Sequence, residues 1–300
     1  MSAVTASSRG GASWRFDAIG TRWEIATGAP LGEADRARVV EVIDRFDAEW
    51  SRFRADSVVT RLGLRGGAVP APPDAAAMLE VYARLSDATG GAVNPLVGAS
   101  LERLGYDAAY SLTGGEALAA PADWETRLTC RSGVLALNGS AVIDVGAIGK
   151  GRLVDLVAAA LTETAAEVVV DAGGDLAVRG APQRIGLEHP FDPRRAIGVW
   201  EVTDASLCAS AVNRRAWGDG LHHVLDARTG APVRTIAATW AVAPEAMRAD
   251  AIATALFFEG GPRLAFESGV EWVRMTTDGR VEWSPGCRAE LFTQAASVES

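Results

Sequence analysis

Asp144-Val145-Gly146-Ala147-Ile148-Gly149-Lys150-Gly151 is the stretch around which the rest of the chain is read. A β-prone run over 141–145 leads into it, and an apolar-periodic run over 153–161 follows, so the pattern predicts strand, tight loop, helix. Its glycines allow the backbone to come close to a ligand. The start of the following helix offers unpaired N–H groups to an anion, and Lys150 adds a positive charge. It is not a Walker loop: Asp144 stands five residues before Gly149 where glycine belongs, and Gly151 stands where Ser or Thr would meet a metal. Taken alone, the stretch is compatible with a phosphate cradle and with a plain strand-to-helix turn.

Working outward, Asn138-Gly139 lies between β-prone runs over 134–137 and 141–145 and predicts a hairpin. Residues 14–26 read as a strand region broken at Gly20-Thr21. A helix is predicted over 33–53, where Val39, Ile43, Phe46, Trp50 and Phe53 recur at helical steps. Residues 63–74 form a Gly/Pro-rich connection. A second helix runs over 73–88 and stops at Gly90-Gly91, and 104–127 is loop with short elements. Downstream, strands are expected over 167–171, 176–179, 185–187, 196–202, 206–210, 222–225 and 237–242. A late helix over 247–258 and a hairpin about Asp278-Gly279 complete the chain. No repeat or linker divides it. The expectation is a disordered tail over 1–13 and one domain of mixed α and β over 14–300.

The 300 residues are 48% hydrophobic, enough for a large core. The net charge of −9 argues against nucleic-acid binding, which needs a basic face. Any anionic ligand therefore needs local help from a metal, helix N-termini or a few placed cations. Cys130, Cys208 and Cys287 are odd in number and widely spaced, so neither a disulfide framework nor a zinc site follows. No apolar leader, lipobox cysteine or membrane-spanning run is visible, and a cytoplasmic protein without membrane insertion is expected.

Three further segments could carry chemistry. Asp171-Ala172-Gly173-Gly174-Asp175 ends a buried-looking strand and is either a turn or room for a planar ligand. Asp250 and Thr254 are four apart on the late helix, so their oxygens share a face, an arrangement open to Mg²⁺ and equally common on exposed helices. His222-His223 sit on a predicted strand and point to opposite sides, so at most one belongs to a site.

Together these segments resemble the ApbE-like FAD:protein FMN transferases. Phe16 to Thr21 is similar to the family's opening F-x-A-M-G-T. Trp50-Ser51-Arg52-Phe53 with Asp56-Ser57 is similar to its S-x-F/Y…S block, and Thr89 to Pro95 to T-G-G-A-F-D-P. Asp144 to Gly151 with Asp155 resembles D-L-G-G-I-A-K-G…D, and Asp171 to Asp175 resembles N-A-G-G-D. His222 to Asp226 with Thr229-Gly230 resembles H-H-I-x-D-P-x-T-G, and Ala249-Asp250 with Thr254 resembles A-D-A-x-x-T. The blocks stand in the family's order from Phe16 to about Gly260.

The resemblance implies an α+β fold: a single large mixed domain of the ApbE (T-fold-like) type, with sheets packed against helices. It implies FAD as substrate, Mg²⁺ as cofactor, and transfer of FMN to a Ser or Thr hydroxyl of an acceptor flavoprotein with release of AMP. By position, Ile19, Phe53, Ala92, Val93, Asn94, Asp144, Lys150 and Val224 match residues lining the FAD site. The Ala147 carbonyl, Asp250 and Thr254 match magnesium ligands, and His223 with Asp250 matches the catalytic pair. The chain departs from the family at Gly63, where Asn is usual, at Asn94, where Asp is usual, and over 209–213, where T-S-G-x-Y becomes Ala209-Ser210-Ala211-Val212-Asn213. FAD hydrolysis to FMN and AMP, or FAD binding without catalysis, are the other functions this scaffold allows.

Overall fold

The computed structural model describes residues 11–218 and 220–292. In chain order the elements are β1 (Ala12–Ala18), β2 (Thr21–Thr27), α1 (Glu33–Trp50), α2 (Val58–Arg65), β3 (Gly67–Pro70), α3 (Ala75–Ala88), α4 (Gly98–Arg103), α5 (Trp124–Arg127), β4 (Leu128–Arg131) and β5 (Val134–Leu137). There follow α6 (Gly149–Leu161), β6 (Val168–Asp171), β7 (Asp175–Arg179), β8 (Gln183–Glu188), β9 (Ala196–Val202), β10 (Ser206–Ala211), β11 (Ala216–Trp217), β12 (Leu221–His222), β13 (Leu225–Asp226) and β14 (Ala231–Pro232). The last are β15 (Ile236–Ala243), α7 (Ala246–Ala255), α8 (Gly261–Glu267), β16 (Glu271–Thr276), β17 (Val281–Trp283) and β18 (Glu290–Leu291).

An eight-stranded sheet in the order β1-β2-β6-β7-β10-β15-β16-β17 forms the centre, with every pair antiparallel. Helices cover one face and the three-stranded sheet β18-β9-β8 covers the other, which places two cores back to back. Strand β15 shows why both are needed: all eight of its residues are buried. Ala241 and Ala243 enter the helical core, while Ala238, Trp240 and Val242 enter the core beneath the small sheet. A strand covered on both faces reads as a continuous apolar run rather than an alternating one. The α+β, single-domain expectation agrees with this architecture.

Several boundaries differ from the sequence reading. Residues 1–10 of the expected tail lie outside the described residues, but Ala12 and Ser13 pair with Thr27 and Ala26 in β1. The hairpin about Asn138-Gly139 is not formed. Strand β5 instead pairs with β3 and β4, and β4 turns into it at Ser132-Gly133, both with positive φ. Residues 141–145 run unpaired in any sheet because their backbone is taken elsewhere: Ala141 N donates to Gly63 O at 3.0 Å and Asp144 N to Pro95 O at 2.8 Å. The first helix ends at Trp50, so Phe53 lies in the turn beyond it. The late helix ends at Ala255, and 222–225 is split by a bend at His223 and Val224. Helices α2 and α8 and strand β3 were not anticipated; part of α2 and all of β3 fall in the expected Gly/Pro-rich connection.

Helix α6 packs between α1 and α7 on the central sheet. Its first turn, Gly149 to Gly151, was expected to be loop but is helical. Gly151 and Asp155 are four apart and share the face toward α7. Helix α7 has no side-chain cap of its own, and Asp155 supplies one from α6: its carboxylate accepts from Ala246 N at 2.7 Å and Met247 N at 2.9 Å. Two otherwise orphaned helix donors are satisfied and the dipole meets a negative charge. Replacing Asp155 with Ala should destabilise the protein by about 2 kcal/mol, from losing a charge-assisted cap in a partly buried setting. Urea unfolding of Asp155→Ala and wild type measures this, and an unchanged midpoint would show that the cap contributes nothing.

Candidate functional site

Beside the α6–α7 contact lies a cavity of about 350 Å³. Its wall gathers Ile19, Phe53, Ala92, Val93, Asn94, Asp144, Ala147, Lys150, His223, Val224 and Thr254. These come from the β1–β2 turn, the turn after α1, the loop after α3, the loop into α6 and its first turn, the bend between β12 and β13, and α7. Of the sequence-predicted site residues only Asp250 is outside the wall; it sits behind the first turn of α6, where its Oδ2 accepts from Gly151 N at 2.9 Å.

The glycine-rich loop works differently from a phosphate cradle. A Cβ on Gly151 would lie 2.4 Å from Ala246 O and 2.7 Å from Asp250 Cβ, so glycine is required there by helix–helix contact. A Cβ on Gly149 would meet Val145 Cγ2 at 2.9 Å. Gly149 N donates to Val145 O and Gly151 N to Asp250, so neither is open to an anion. Asp144 holds the loop from outside: its Oδ1 accepts from Gly146 N at 2.7 Å and its Oδ2 from Arg52 Nε at 2.5 Å. The Asp171 to Asp175 segment is likewise a turn. Asp171 Oδ1 accepts from Gly174 N, and a Cβ on Gly173 would press on Thr21 Oγ1 at 2.4 Å.

Charge is concentrated just beneath the cavity floor. Lys150 Nζ lies 2.6 Å from Asp175 Oδ2, and both Asp175 oxygens are otherwise buried without a hydrogen-bond partner. Asp250 is 3% exposed, and burial and the charge of Asp175 push its carboxyl well above the usual range. Burial thus opposes ionising both carboxylates beside a single ammonium, and a cation here would favour their charged forms. Thr254 Oγ1 donates to Ala147 O at 3.2 Å, so two of the oxygens expected to meet a metal are already adjacent. Among the described residues no three His, Cys, Asp or Glu side chains converge as a metal cluster. A cation here would draw on one carboxylate, one hydroxyl, one carbonyl and oxygens of the ligand, a hard and sparse set that fits Mg²⁺.

The two histidines have different surroundings, but a bend at His223 separates them rather than the expected alternation along a strand. His222 Nε2 lies 2.9 Å from Val233 O and its Nδ1 accepts from Val224 N at 3.3 Å, so its ring joins two backbone segments. His223 lines the cavity and its Nδ1 is buried without a partner. Burial, then the charges of Arg215, His222 and Lys150, lower its pKa to about 3, so the ring is neutral.

Sequence reading missed three cations in the wall, Arg52, Arg54 and Arg215, of which Arg54 is paired with Asp47 and Asp56. Arg52 is 6% exposed and holds Asp144 and the Tyr106 carbonyl, with its Nη1 buried without a hydrogen bond, 3.8 Å from Glu102 Oε1. It lies inside the Trp50 to Phe53 block, where the aromatic drew attention first. Arg215 lines the cavity near His223, and the signal available was a pair of arginines, Arg214-Arg215, shortly before the histidines. The departures at Gly63 and Asn94 have local causes. A Cβ on Gly63 would lie 2.4 Å from Ala141 O. Asn94 donates from Nδ2 to Pro121 O at 2.8 Å while its Oδ1 accepts from Leu96 N at 2.9 Å, a pairing that a carboxylate cannot complete.

Residues 19–274 match the ApbE family. An FAD:protein FMN transferase of Rhodobacter capsulatus is 28% identical over 302 residues, covering 92% of this chain and 57% of that protein, so the chain spans little more than half of that relative's length. One of Treponema pallidum (strain Nichols) is 29% identical over 316 residues, covering 89% of this chain and 85% of that protein. The ApbE protein of Thermotoga maritima superposes with a TM-score of 0.80 at 23% identity, covering 91% of this chain and 97% of that one. The flavin transferase ApbE of Vibrio cholerae superposes at 0.77 with 21% identity and the same coverages. With the match running through the cavity-lining segments from Ile19 to Phe258, the chain belongs to the ApbE family.

Proposed function

We propose that this chain is a magnesium-dependent FAD:protein FMN transferase that moves FMN from FAD to a Ser or Thr hydroxyl of an acceptor flavoprotein and releases AMP. The observation that carries the reading is one cavity wall holding a neutral imidazole whose Nδ1 is buried without a partner, together with the oxygens and cations suited to a diphosphate. FAD:protein FMN transferase is also the activity by which the two curated relatives are known.

In this reading the diphosphate lies along Ala147, Lys150 and Thr254, the part of the wall nearest the buried charges. Bound Mg²⁺, held by the Ala147 carbonyl, Asp250 and Thr254, would neutralise charge on the phosphate oxygens. The acceptor hydroxyl oxygen forms a bond to the FMN phosphorus, the bridging P–O bond breaks, and AMP leaves with the bridging oxygen. His223 takes the hydroxyl proton. Burial first, and then the charges of Arg215, His222 and Lys150, make its ring a poor base, and the negative charge of a bound diphosphate would offset the cationic part of that shift. Lys150 and Arg215 stabilise charge that grows on the phosphoryl oxygens. Phe53, Ala92, Val93 and Val224 supply apolar surface for the rings of the substrate. No enzyme nucleophile is required. Incubating the protein with FAD, Mg²⁺ and a purified domain bearing a Ser/Thr flavinylation motif should give a fluorescent, covalently labelled acceptor and AMP. FMN and AMP without labelled acceptor would replace transfer with hydrolysis.

Asp250→Asn keeps an acceptor for Gly151 N but removes the charge. It should lower the labelling rate at least about 100-fold with Tm close to wild type; wild-type rates would remove Asp250 from the reaction. His223 also makes stability depend on pH. In the unfolded chain it takes a proton near 6.5, and in the folded chain only near 3, so the unfolded state binds more protons between those values. Wild type should therefore lose stability relative to His223→Gln by about 1 kcal/mol per pH unit as pH falls from 6.5 to 5. Parallel denaturation curves at pH 7.5, 6 and 5 test this, and a constant difference between the two proteins would refute it.

A further inference from the structure

A second chamber of about 220 Å³ adjoins the cavity and shares with it Ile19, Phe53, Tyr106, Tyr110 and Arg215. Leu112, Ala216 and Trp217 line this chamber alone. Its walls are apolar and aromatic: Phe53 stacks on Tyr110 with centroids 5.4 Å apart, and Tyr106 stacks on Trp217 at 5.5 Å. Among the described residues Arg215 is its one charged lining side chain. The chamber opens to solvent where Tyr110 and Leu112 are 49% and 46% exposed.

Backbone strain is gathered at the same place. Of five non-glycine residues with positive φ among the described residues, Ile19 (45°), Tyr110 (50°) and Leu112 (52°) all line the chamber. Such conformations are unfavourable for residues with a side chain and persist where their surroundings dictate them. The bracing is visible. Asp107 accepts from Ala109 N, Ser111 N and Ser111 Oγ, and Leu112 N donates to Gly105 O at 2.8 Å. Trp217 is fixed from below by its Nε1 bond to Leu104 O at 2.8 Å. The loop over 105–113 is thus a fixed bracket presenting a tyrosine and a leucine to solvent beside the reacting groups. A preformed surface lowers the ordering cost of binding a partner.

The geometry points to this chamber as the docking site of the acceptor polypeptide: an extended segment whose apolar side chain near the target hydroxyl fills the space between Leu112 and Trp217. The inference rests on the transferase reading. A hydroxyl carried by a protein must approach the FMN phosphorus from outside, and the chamber joins solvent to the wall that holds His223 and Arg215. Its lining also suits a polypeptide, with apolar aromatic walls and a single cation.

Leu112→Asp and Ala216→Glu place a charge in the chamber without touching the cavity, and both positions are exposed. Aspartate tolerates the left-handed backbone at 112 better than most residues. For each variant, three quantities are read: the FAD dissociation constant by fluorescence, the KM for the flavinylation-motif domain, and direct binding of that domain with its target hydroxyl replaced by Ala. The expected result is a KM raised at least tenfold, weakened direct binding, and an FAD constant within twofold of wild type. A tenfold weaker FAD constant would assign the chamber to FAD and overturn the inference, as would unchanged KM and direct binding in both variants. Wild type that binds FAD but never labels the domain would sink the transferase reading and this inference with it. Labelling by wild type with indifferent variants sinks the inference alone.

Discussion

The contact between the first turns of α6 and α7 is the constraint on which the site depends. At Gly151 the two backbones meet with no room for a methyl group, and Asp155, one turn later, caps α7 from the same face of α6. The crossing brings three things together. It sets the start of α6, and therefore the Ala147 carbonyl and Lys150, at the cavity edge. It turns Thr254 of α7 toward Ala147 and carries Asp250 behind Gly151. A side chain at 151 would separate the helices and with them the oxygens proposed for magnesium. The glycine is demanded by helix packing, and the chemistry depends on it indirectly.

Electrostatics at the site run against the character of the whole chain. With a net charge of −9 the protein does not attract a dinucleotide by its overall field. Positive charge gathers locally, with Arg52, Lys150 and Arg215 among the side chains lining one cavity. Each is restrained differently. Arg52 is held by Asp144 and a carbonyl, Lys150 by Asp175, and Arg215 stands near the aromatic ring of Tyr106 at 6.0 Å. A lysine paired with a buried carboxylate cannot simply swing to a phosphate. It contributes charge from a fixed place, while burial and Asp175 disfavour ionisation of Asp250 below it, a cost that a bound cation would offset.

Much of this was legible because it is local. The helical repeat of Val39, Ile43, Phe46 and Trp50 gave α1, and the β-branched run before Asp171 gave β6, since burial of a regular face writes a period into the sequence. The ordered blocks led to the cavity wall, since the segments from Ile19, Phe53, Ala92 to Asn94, Asp144 to Lys150, His223 and Thr254 all line it. What failed was decided by long-range contact. Asn138-Gly139 has the composition of a hairpin turn, yet the next residues are drawn away by Gly63 and Pro95, distant in sequence. Glycines at 149 and 151 look the same in a string whether they face a phosphate or another helix. Arg52, buried beside Asp144 across 92 residues, gives no sign of burial in its own neighbourhood.

The departures from the family pattern acquire a structural meaning from the same contacts. Gly63 lets α2 rest on the Ala141 carbonyl, which fixes the unpaired segment leading to Asp144. Asn94 pairs a carbonyl on one side and an N–H on the other, so an uncharged side chain ties the loop after α3 to Pro121. A carboxylate at 94 would leave the Pro121 oxygen without its donor and add negative charge to a wall that also carries Asp144. At the end of β10, Asn213 donates to Pro190 O at 2.5 Å, and Arg214 reaches Glu188. The strap before Arg215 is thereby fastened to β8 and the turn after it, away from the cavity. Gly63 lies in the scaffold, while Asn94 and Ser210 line the cavity wall, and the changes leave His223, Lys150, Thr254 and Asp250 in place. Retained chemical groups beside altered wall and scaffold positions are the pattern expected when the surface presented to a ligand or partner changes.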